Sequence, residues 1–184
     1  AGVPRAHCIS YENDGALLQE LFTRDGTGSL VMEHHYEQLR AATIDDVGGI
    51  LNLIKPLEDS GVLVKRSRER LESEINQFII IVRDGMIIAC AALYLYPEDD
   101  CAELACVATH QDYPGKNRGE RILEEVCRRA KEARINRIFV LTTVTTHWFL
   151  EQGFQPADIS ALPEVKKELY NFQRNSKVFT LNVE

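Results

Sequence analysis

The stretch from Cys101 to Ala133 constrains the fold more than any other part of this sequence. An apolar run over 101–109 predicts a strand, and the pattern over 119–133 predicts a helix with its apolar side chains on one face. The loop between them is basic and contains glycine. Such a loop points backbone N–H groups at an anion, and the dipole of the following helix favours negative charge at the same place. Taken alone, the pattern indicates either an anion-binding α/β unit or an ordinary solvated turn.

From residue 37 onward the chain has this same mixture of strand-like and helical periods. Asp84-Gly85 between two apolar runs predicts a β-hairpin. Thr43 followed by Asp45 and Asp46 is typical of a helix start. Strands are predicted at 39–43, 78–82, 86–96, 101–109, 138–142 and 177–183, and helices at 44–54, 68–75, 119–133, 146–152 and 163–170.

Composition limits the ligands and the compartment. The 184 residues are 45% hydrophobic, enough for one good core, and they contain no apolar run of the roughly 18 residues that a membrane helix needs. A net charge of −7 argues against general nucleic-acid binding, while basic clusters at 65–70, 116–118 and 166–177 suit a small anionic ligand. Five cysteines without a CxxC pair predict a reducing cytoplasm and no disulfide framework. His34 and His35 have no third ligand at a metal-site spacing, so no metal is expected.

Two motifs resemble those of GNAT acetyltransferases. Residues 114–119 take the place of that family's acetyl-CoA loop, Arg/Gln-x-x-Gly-x-Gly/Ala, with Pro114 and Asn117 departing from the pattern. Asn tolerates a left-handed backbone better than most residues. Residues 148–154 resemble the second motif, Tyr-x-x-x-Gly-Phe, with Phe149 in the Tyr position. The resemblance implies acetyl-CoA as co-substrate and an α/β GNAT fold, a central mixed, mostly antiparallel sheet flanked by helices.

The resemblance extends to the acetyltransferase half of bacterial N-acetylglutamate synthases. Residues 7–31 are similar to the tail of the amino-acid-kinase domain that precedes that half in the family. The resemblance implies a kinase-like remnant and linker at 1–32, a GNAT domain at 33–184, and absence of most of the kinase-like domain that carries arginine feedback. It implies acetyl transfer to the α-amine of L-glutamate, the first step of arginine biosynthesis. The matching segments are 57–58, 61–70, 88–94, 139–143, 147–149 and 169–177.

The same resemblance assigns acetyl-CoA to the strand, the loop and the helix start. Val107 and Thr109 are expected to offer backbone groups to the pantetheine arm, and an N–H there can polarise the thioester carbonyl; ordinary sheet pairing is the alternative. Lys116 and Arg118 add positive charge for the pyrophosphate. The predicted cofactor-binding residues are Val107, Ala108, Thr109, Gly115, Lys116, Asn117, Arg118, Gly119 and Glu120.

Candidate catalytic residues follow from the chemistry of amine acetylation. Glu103 places a carboxylate in an apolar strand, where an unpaired charge is expensive. The resemblance makes it the general base, acting through water; the alternative is a carboxylate paired with a neighbouring Lys or Arg. Phe149 cannot protonate the leaving thiolate, so His147 or a water is the candidate acid, with a packed or solvated histidine as the alternative. We expect direct attack in a ternary complex rather than acylation of Cys106.

Arginine side chains are the natural partners for the two carboxylates of glutamate, because their planar forks bind carboxylates bidentately. Arg66 and Arg174 are the predicted substrate-binding residues, with Ser176 as a neutral donor. For Arg68 a solvated charged face is the preferred interpretation. Two rival functions stay open, a GNAT enzyme for another amine and a regulatory module that binds CoA or an amino acid without turnover. The sequence is compatible with a homo-oligomer and leaves the oligomeric state open.

Overall fold

The computed structural model describes residues 3, 5–23, 26–32, 37–113, 117–168, 170 and 176–183. Contacts divide the chain into two compact units, residues 1–38 and residues 39–184. Each unit is described by itself. His34 and His35 lie outside the described residues, so their predicted lack of a metal role stays a prediction.

The first unit is a small hairpin with one helix. Strands β1 (Arg5–Cys8) and β2 (Ser29–Met32) pair antiparallel, and helix α1 (Ala16–Phe22) lies between them in the sequence. Glu20 of α1 accepts a hydrogen bond from the backbone N–H of Gly28 at 2.9 Å, which ties the helix to the turn before β2. The large apolar side chains of α1 are exposed: Leu17, Leu18, Leu21 and Phe22.

A seven-stranded sheet, in the order β3-β4-β5-β6-β7-β9-β8, organises the described part of the second unit. Its β6–β7 pair is parallel, and the β4–β5, β5–β6, β7–β9 and β8–β9 pairs are antiparallel. The predicted mixed, mostly antiparallel sheet is therefore confirmed. The strands are β3 (Glu37–Ala41), β4 (Phe78–Arg83), β5 (Met86–Tyr96), β6 (Cys101–Thr109), β7 (Arg137–Thr142), β8 (Gln155–Ala157) and β9 (Lys177–Asn182).

Helices cover both faces of this sheet because each carries one apolar stripe. The helices are α2 (Val47–Asp59), α3 (Arg68–Ser73), α4 (Arg118–Glu132), α5 (Thr146–Glu151) and α6 (Glu164–Glu168). Helix α2 buries Ile50 and Ile54 in one core cluster, while α4 buries Ile122 and Val126 in another. The alternation of side chains along β5 and β6 supplies both clusters, so one sheet separates two cores.

Two local features differ from the sequence prediction. Helix α2 begins at Val47 instead of 44, because Thr43 caps a short 3₁₀ turn over Ile44–Asp46 through a reciprocal capping box. Strand β8 was not predicted, since three residues that include Pro156 give no readable period. Within the described part of the chain, every helix is too short or too polar to cross a membrane. The described residues also contain no group of three or more His, Cys, Asp or Glu arranged to hold a metal ion.

Candidate active site

The sheet opens between its two parallel strands. Pairing of β6 with β7 covers only Cys101–Glu103 against Arg137–Phe139. Beyond that point β6 follows β5, and the β5–β6 register shifts between Cys90 and Ala92. Cys106 has a positive φ of 53°, a left-handed backbone that belongs to this irregularity. Past this point β6 no longer pairs with β7, and one of its edges has no strand partner among the described residues, which leaves room for a ligand.

A cavity of about 440 Å³ fills this opening. Its walls come from the end of β6, the start of α4 and the start of α5, and we name it the β6–α4 cavity. It is large enough for the narrow arm and part of the head of a cofactor. The lining residues are Val107, Ala108, Thr109, Tyr113, Asn117, Arg118, Gly119, Glu120, Thr145, Trp148 and Phe149.

Seven of the nine predicted cofactor-binding residues thus lie around one cavity. The other two, Gly115 and Lys116, lie outside the described residues, as does Pro114. The binding role of all nine stays a prediction.

The start of helix α4 supplies the donors of this cavity. Asn117 precedes the helix with φ 53°, the left-handed conformation expected of an Asn at a glycine position of the loop. The first N–H groups of a helix have no partner within it, and here they face the cavity at the positive end of a fifteen-residue helix. This geometry is suited to a phosphate group.

Gly119 allows a tryptophan to pack directly on the helix start. A Cβ atom added at Gly119 would lie 2.7 Å from Cζ2 of Trp148. The Trp148 ring in turn meets Phe149 edge-on, with ring centroids 5.0 Å apart. Phe149 is buried and Trp148 is half-buried, and both line the cavity. Absence of a side chain at 119 therefore sets the position of the Trp148 ring.

Arg118 has a structural task that its sequence position does not reveal. Its side chain is only 2% exposed, and Nη1 donates a hydrogen bond to the carbonyl oxygen of Tyr113 at 2.7 Å. The guanidinium groups of Arg83 and Arg118 lie 4.8 and 5.6 Å from the centre of the Tyr113 ring. Arg118 therefore fixes the segment after β6 while it lines the cavity. Its predicted contact with pyrophosphate stays a prediction.

Glu103 is buried, and it is paired. Its side chain is 8% exposed, and Oε2 lies 2.5 Å from Nζ of Lys166 on α6. Oε2 accepts no hydrogen bond of good geometry from the described residues, so its contact with Lys166 is an ion pair without a well-aligned hydrogen bond. Burial and the nearby Glu103 charge raise the pKa of Tyr96, whose hydroxyl is also close to the carboxylate. The structure therefore shows the charge pairing that sequence analysis weighed against the general base, on a residue that still stands at the open part of the sheet.

His147 lies away from this cluster. Its side chain is 88% exposed and its Nδ1 is 3.4 Å from Glu151 on the outer surface of α5. It is not among the residues that line the β6–α4 cavity. The described geometry thus matches the solvated-histidine alternative, and a role for His147 as general acid stays an unsupported prediction.

Arg66 points inward beside the bulge of β6. Nη1 donates to the carbonyl of Val64 at 3.2 Å, while Nε is buried and makes no hydrogen bond with the described residues. Burial disfavours its charge, yet the pKa of Arg66 is raised because Cys106, Tyr94 and Glu74 surround the guanidinium. A buried guanidinium N–H without a partner is costly unless a ligand satisfies it. Arg66 is therefore well placed to receive a carboxylate.

The other predicted substrate residues are less informative. Arg174 lies outside the described residues. Ser176 is half-buried, and its carbonyl accepts a hydrogen bond from the hydroxyl of Tyr170. Arg68 is 62% exposed and pairs with Glu72 at 2.7 Å along α3, which agrees with a solvated charged face.

Three residues near the site were missed by sequence analysis: Lys166, Tyr96 and Tyr113. Lys166 was noted only as part of a basic cluster, and nothing in the sequence connects it with Glu103. Tyr96 lies on the same strand as Tyr94, so its alternation with Leu95 was the available signal. Tyr113 is an aromatic residue in an otherwise polar loop, which in retrospect indicates an anchored loop.

The sequence profile described as the Acetyltransferase (GNAT) family matches residues 47–154. An amino-acid acetyltransferase of Escherichia coli (strain K12) is 58% identical over 178 residues, which cover 97% of this chain and 40% of that protein. An amino-acid acetyltransferase of Photobacterium profundum is 57% identical over 183 residues, covering 100% of this chain and 42% of that protein. The chain therefore spans about two-fifths of the length of these relatives.

Solved structures of N-acetylglutamate synthases are also similar to this chain. The N-acetylglutamate synthase from Neisseria gonorrhoeae complexed with coenzyme A and L-arginine superposes with a TM-score of 0.89 and 39% identity, covering 100% of this chain and 42% of that one. The complex of the same synthase with coenzyme A and N-acetyl-glutamate gives a TM-score of 0.78 and 40% identity, covering 100% and 43%.

Proposed function

This chain belongs to the GNAT acetyltransferase family, and from that premise we propose that it transfers the acetyl group of acetyl-CoA to the α-amine of L-glutamate. The product is N-acetylglutamate, and the step is the first of arginine biosynthesis. Relatives named amino-acid acetyltransferases and solved N-acetylglutamate synthases that bind coenzyme A support this choice of substrates.

One observation carries the proposal. A buried carboxylate, Glu103, lies on the same strand as Val107 to Thr109, whose backbone lines the β6–α4 cavity. Val107 lies four positions after Glu103 along the strand, roughly 13 Å at the usual rise of a strand. A cofactor that enters along the helix start can therefore extend its acetyl end along β6 toward the base.

The reaction that we propose is direct transfer in a ternary complex. N–H groups at the start of α4 bind the pyrophosphate, and backbone groups of β6 hold the pantetheine arm. Glu103, acting through water, accepts a proton from the substrate ammonium, and the neutral amine then attacks the thioester carbonyl. A C–N bond forms, the C–S bond breaks, and coenzyme A leaves as a thiolate, which is a fairly stable anion. The second proton on the new amide nitrogen then passes through water to that thiolate.

Arg66, Arg174 and Ser176 form the proposed glutamate site. Support for Arg66 comes from its buried Nε beside the bulge of β6. Guanidinium groups at two places match the two carboxylates of glutamate, and Glu103 provides the base at a third place. A substrate with one carboxylate fills this site only in part, which accounts for selectivity among amino acids.

Further parts of the proposal concern the whole chain. The apolar face of α1 supports the assignment of residues 1–32 to a remnant of a larger kinase-like domain, since such a face is normally covered. The cytoplasmic location and the absence of nucleic-acid and membrane partners belong to the proposal as well, which is compatible with a homo-oligomer and leaves the oligomeric state open. Free cysteines at the described positions fit a reducing compartment.

A thiol-release assay with a panel of amines tests the function. We expect CoA release with acetyl-CoA and glutamate, and much slower release with glutamine, aspartate, lysine and a peptide N-terminus. Faster release with one of the other amines contradicts the choice of glutamate. Tight acetyl-CoA binding without release for any amine contradicts catalysis and favours a binding module.

A further inference from the structure

The ion pair between Lys166 and Glu103 joins two elements that are far apart in the sequence. Nζ of Lys166, on α6, lies 2.5 Å from Oε2 of Glu103, on β6. The lysine side chain is 24% exposed and the carboxylate 8%, so the pair is shielded on the Glu103 side and open to solvent on the Lys166 side. A buried carboxylate needs such a partner, because an unpaired charge at this depth is costly.

Helix α6 contributes little of its own to the core, and it is anchored mainly by buried Leu162 and Pro163 just before it. It has five residues, and none of them is fully buried. Val165 is 59% exposed, and Lys167 pairs outward with Glu164 at 2.7 Å. Few apolar contacts are therefore lost when the Lys166 side chain swings away while the helix stays in place.

The contact geometry also favours exchange. Although the two charges are close, Oε2 accepts no well-aligned hydrogen bond from the described residues. A second ammonium group that approaches along a lone pair of the carboxylate gains both the charge attraction and the hydrogen bond. When one ammonium group replaces another, the Glu103 carboxylate stays paired with a positive charge. The exchange therefore avoids the main cost, which is an unpaired buried charge.

We propose that Lys166 is an internal competitor for the substrate ammonium: it occupies the amine subsite at Glu103 in the substrate-free enzyme, and the α-ammonium of the amino acid displaces it. This inference rests on the proposed function, because it takes Glu103 as the residue that receives the amine. The ammonium pairs with the carboxylate when the substrate binds, and the water through which Glu103 acts joins them for the proton transfer. Lys166 is then a specificity-determining residue. A dicarboxylate without an ammonium group, such as glutarate, cannot replace it and leaves the pair closed.

Removal of Lys166 is expected to tighten the binding of glutamate. A competitor that occupies the subsite most of the time lowers the fraction of competent enzyme and raises the apparent dissociation constant of the substrate in proportion. If one enzyme in ten is open, removal of the competitor tightens glutamate binding about tenfold. Loss of a residue that binds the substrate or supports the fold has the opposite sign.

The test is Lys166→Met, which keeps length and removes charge. We expect KM for glutamate to fall about tenfold and KM for acetyl-CoA to stay within twofold. Lys167→Met is the matched control on the same helix, and both KM values should stay at those of the unchanged chain. Lys166→Arg keeps a cation at the carboxylate, and its KM for glutamate should remain high. An unchanged or raised glutamate KM in Lys166→Met overturns the proposal.

A second measurement needs neither a variant nor turnover. The unchanged protein is treated briefly with an amine-acetylating reagent, and modification of each lysine is followed by mass spectrometry. Modification of Lys166 is expressed relative to Lys167 in the same sample, because the amine of free glutamate also consumes the reagent. This ratio should be low in the free protein and with glutarate, and several-fold higher with saturating glutamate. Equal reactivity of Lys166 with and without glutamate overturns the proposal. Absence of CoA release by the unchanged chain would instead contradict the proposed function, so the two failures are distinguishable.

Discussion

Gly119→Ala is the substitution for which the structure gives the most specific expectation. The new Cβ would lie 2.7 Å from Cζ2 and 3.2 Å from Cε2 of Trp148. Carbon atoms in favourable contact are about 3.5–4.0 Å apart, so the ring must withdraw by roughly 1 Å. It cannot move deeper, because Phe149 behind it is buried and packed against Phe154. The ring therefore moves into the β6–α4 cavity.

Two effects of opposite sign determine the stability of this variant. Overpacking costs about 1–3 kcal/mol, and replacement of Gly by Ala in a helix returns up to about 1 kcal/mol. We expect a net loss of up to about 2 kcal/mol in the free energy of unfolding. Because Trp148 is a wall of the cavity, affinity for acetyl-CoA should fall roughly tenfold, which corresponds to about 1.4 kcal/mol.

Urea denaturation and titration calorimetry with acetyl-CoA measure the two quantities. Gly48→Ala is the matched control in helix α2, since a Cβ there meets nothing within 4 Å; this variant should be slightly more stable and bind acetyl-CoA normally. Addition of Trp148→Phe to Gly119→Ala should relieve the contact, so the two changes should be non-additive. A Gly119→Ala protein with unchanged stability and unchanged acetyl-CoA affinity would refute this account of the helix start.

Three further predictions address the reaction and the fold. Glu103→Gln should lower kcat by roughly 10²-fold and remove the acidic limb of the pH–rate profile; near-normal turnover with the same profile would make Glu103 structural. Arg174→Ala should raise KM for glutamate strongly, at a cost of about 2–4 kcal/mol, and leave acetyl-CoA binding nearly unchanged; an equal rise in both KM values would place it in the fold or the cofactor site. The Arg40 guanidinium lowers the pKa of Asp46 from 3.8 to about 2, so this pair stabilises the fold above about pH 4 and loses its effect as the pH falls toward 2. Asp46→Asn should therefore unfold at a lower urea concentration at pH 7, and its free energy of unfolding should fall less between pH 4 and 2 than that of the unchanged chain. Parallel plots of this free energy against pH for the two proteins would contradict the prediction.

The sequence was sufficient for the strand–loop–helix unit and for most of the sheet, because these depend on local periodicity. The left-handed backbone of Asn117 was also predictable, since few other residues replace a loop glycine at low cost. Burial of Arg118 was not, because arginine is rarely buried and its partner is a backbone carbonyl. The pairing of Glu103 with Lys166 was beyond local reasoning altogether, since it depends on how α6 lies over the sheet.

The partial pairing of β6 with β7 gives this sheet an edge in its interior. One side of β6 is in the ladder with β5 along its length, while the other has a strand partner among the described residues only at Cys101–Glu103. Since successive backbone amides of a regular strand point to opposite sides, those on either side of the bulge at Cys106, between 104 and 109, should alternate between slow and fast hydrogen exchange. Acetyl-CoA should slow the fast set by acting as the missing neighbour of the strand. Bound acetyl-CoA would then stabilise the fold by covering the unpaired edge of β6. Its release would loosen the peptide groups along that edge, in the middle of the protein.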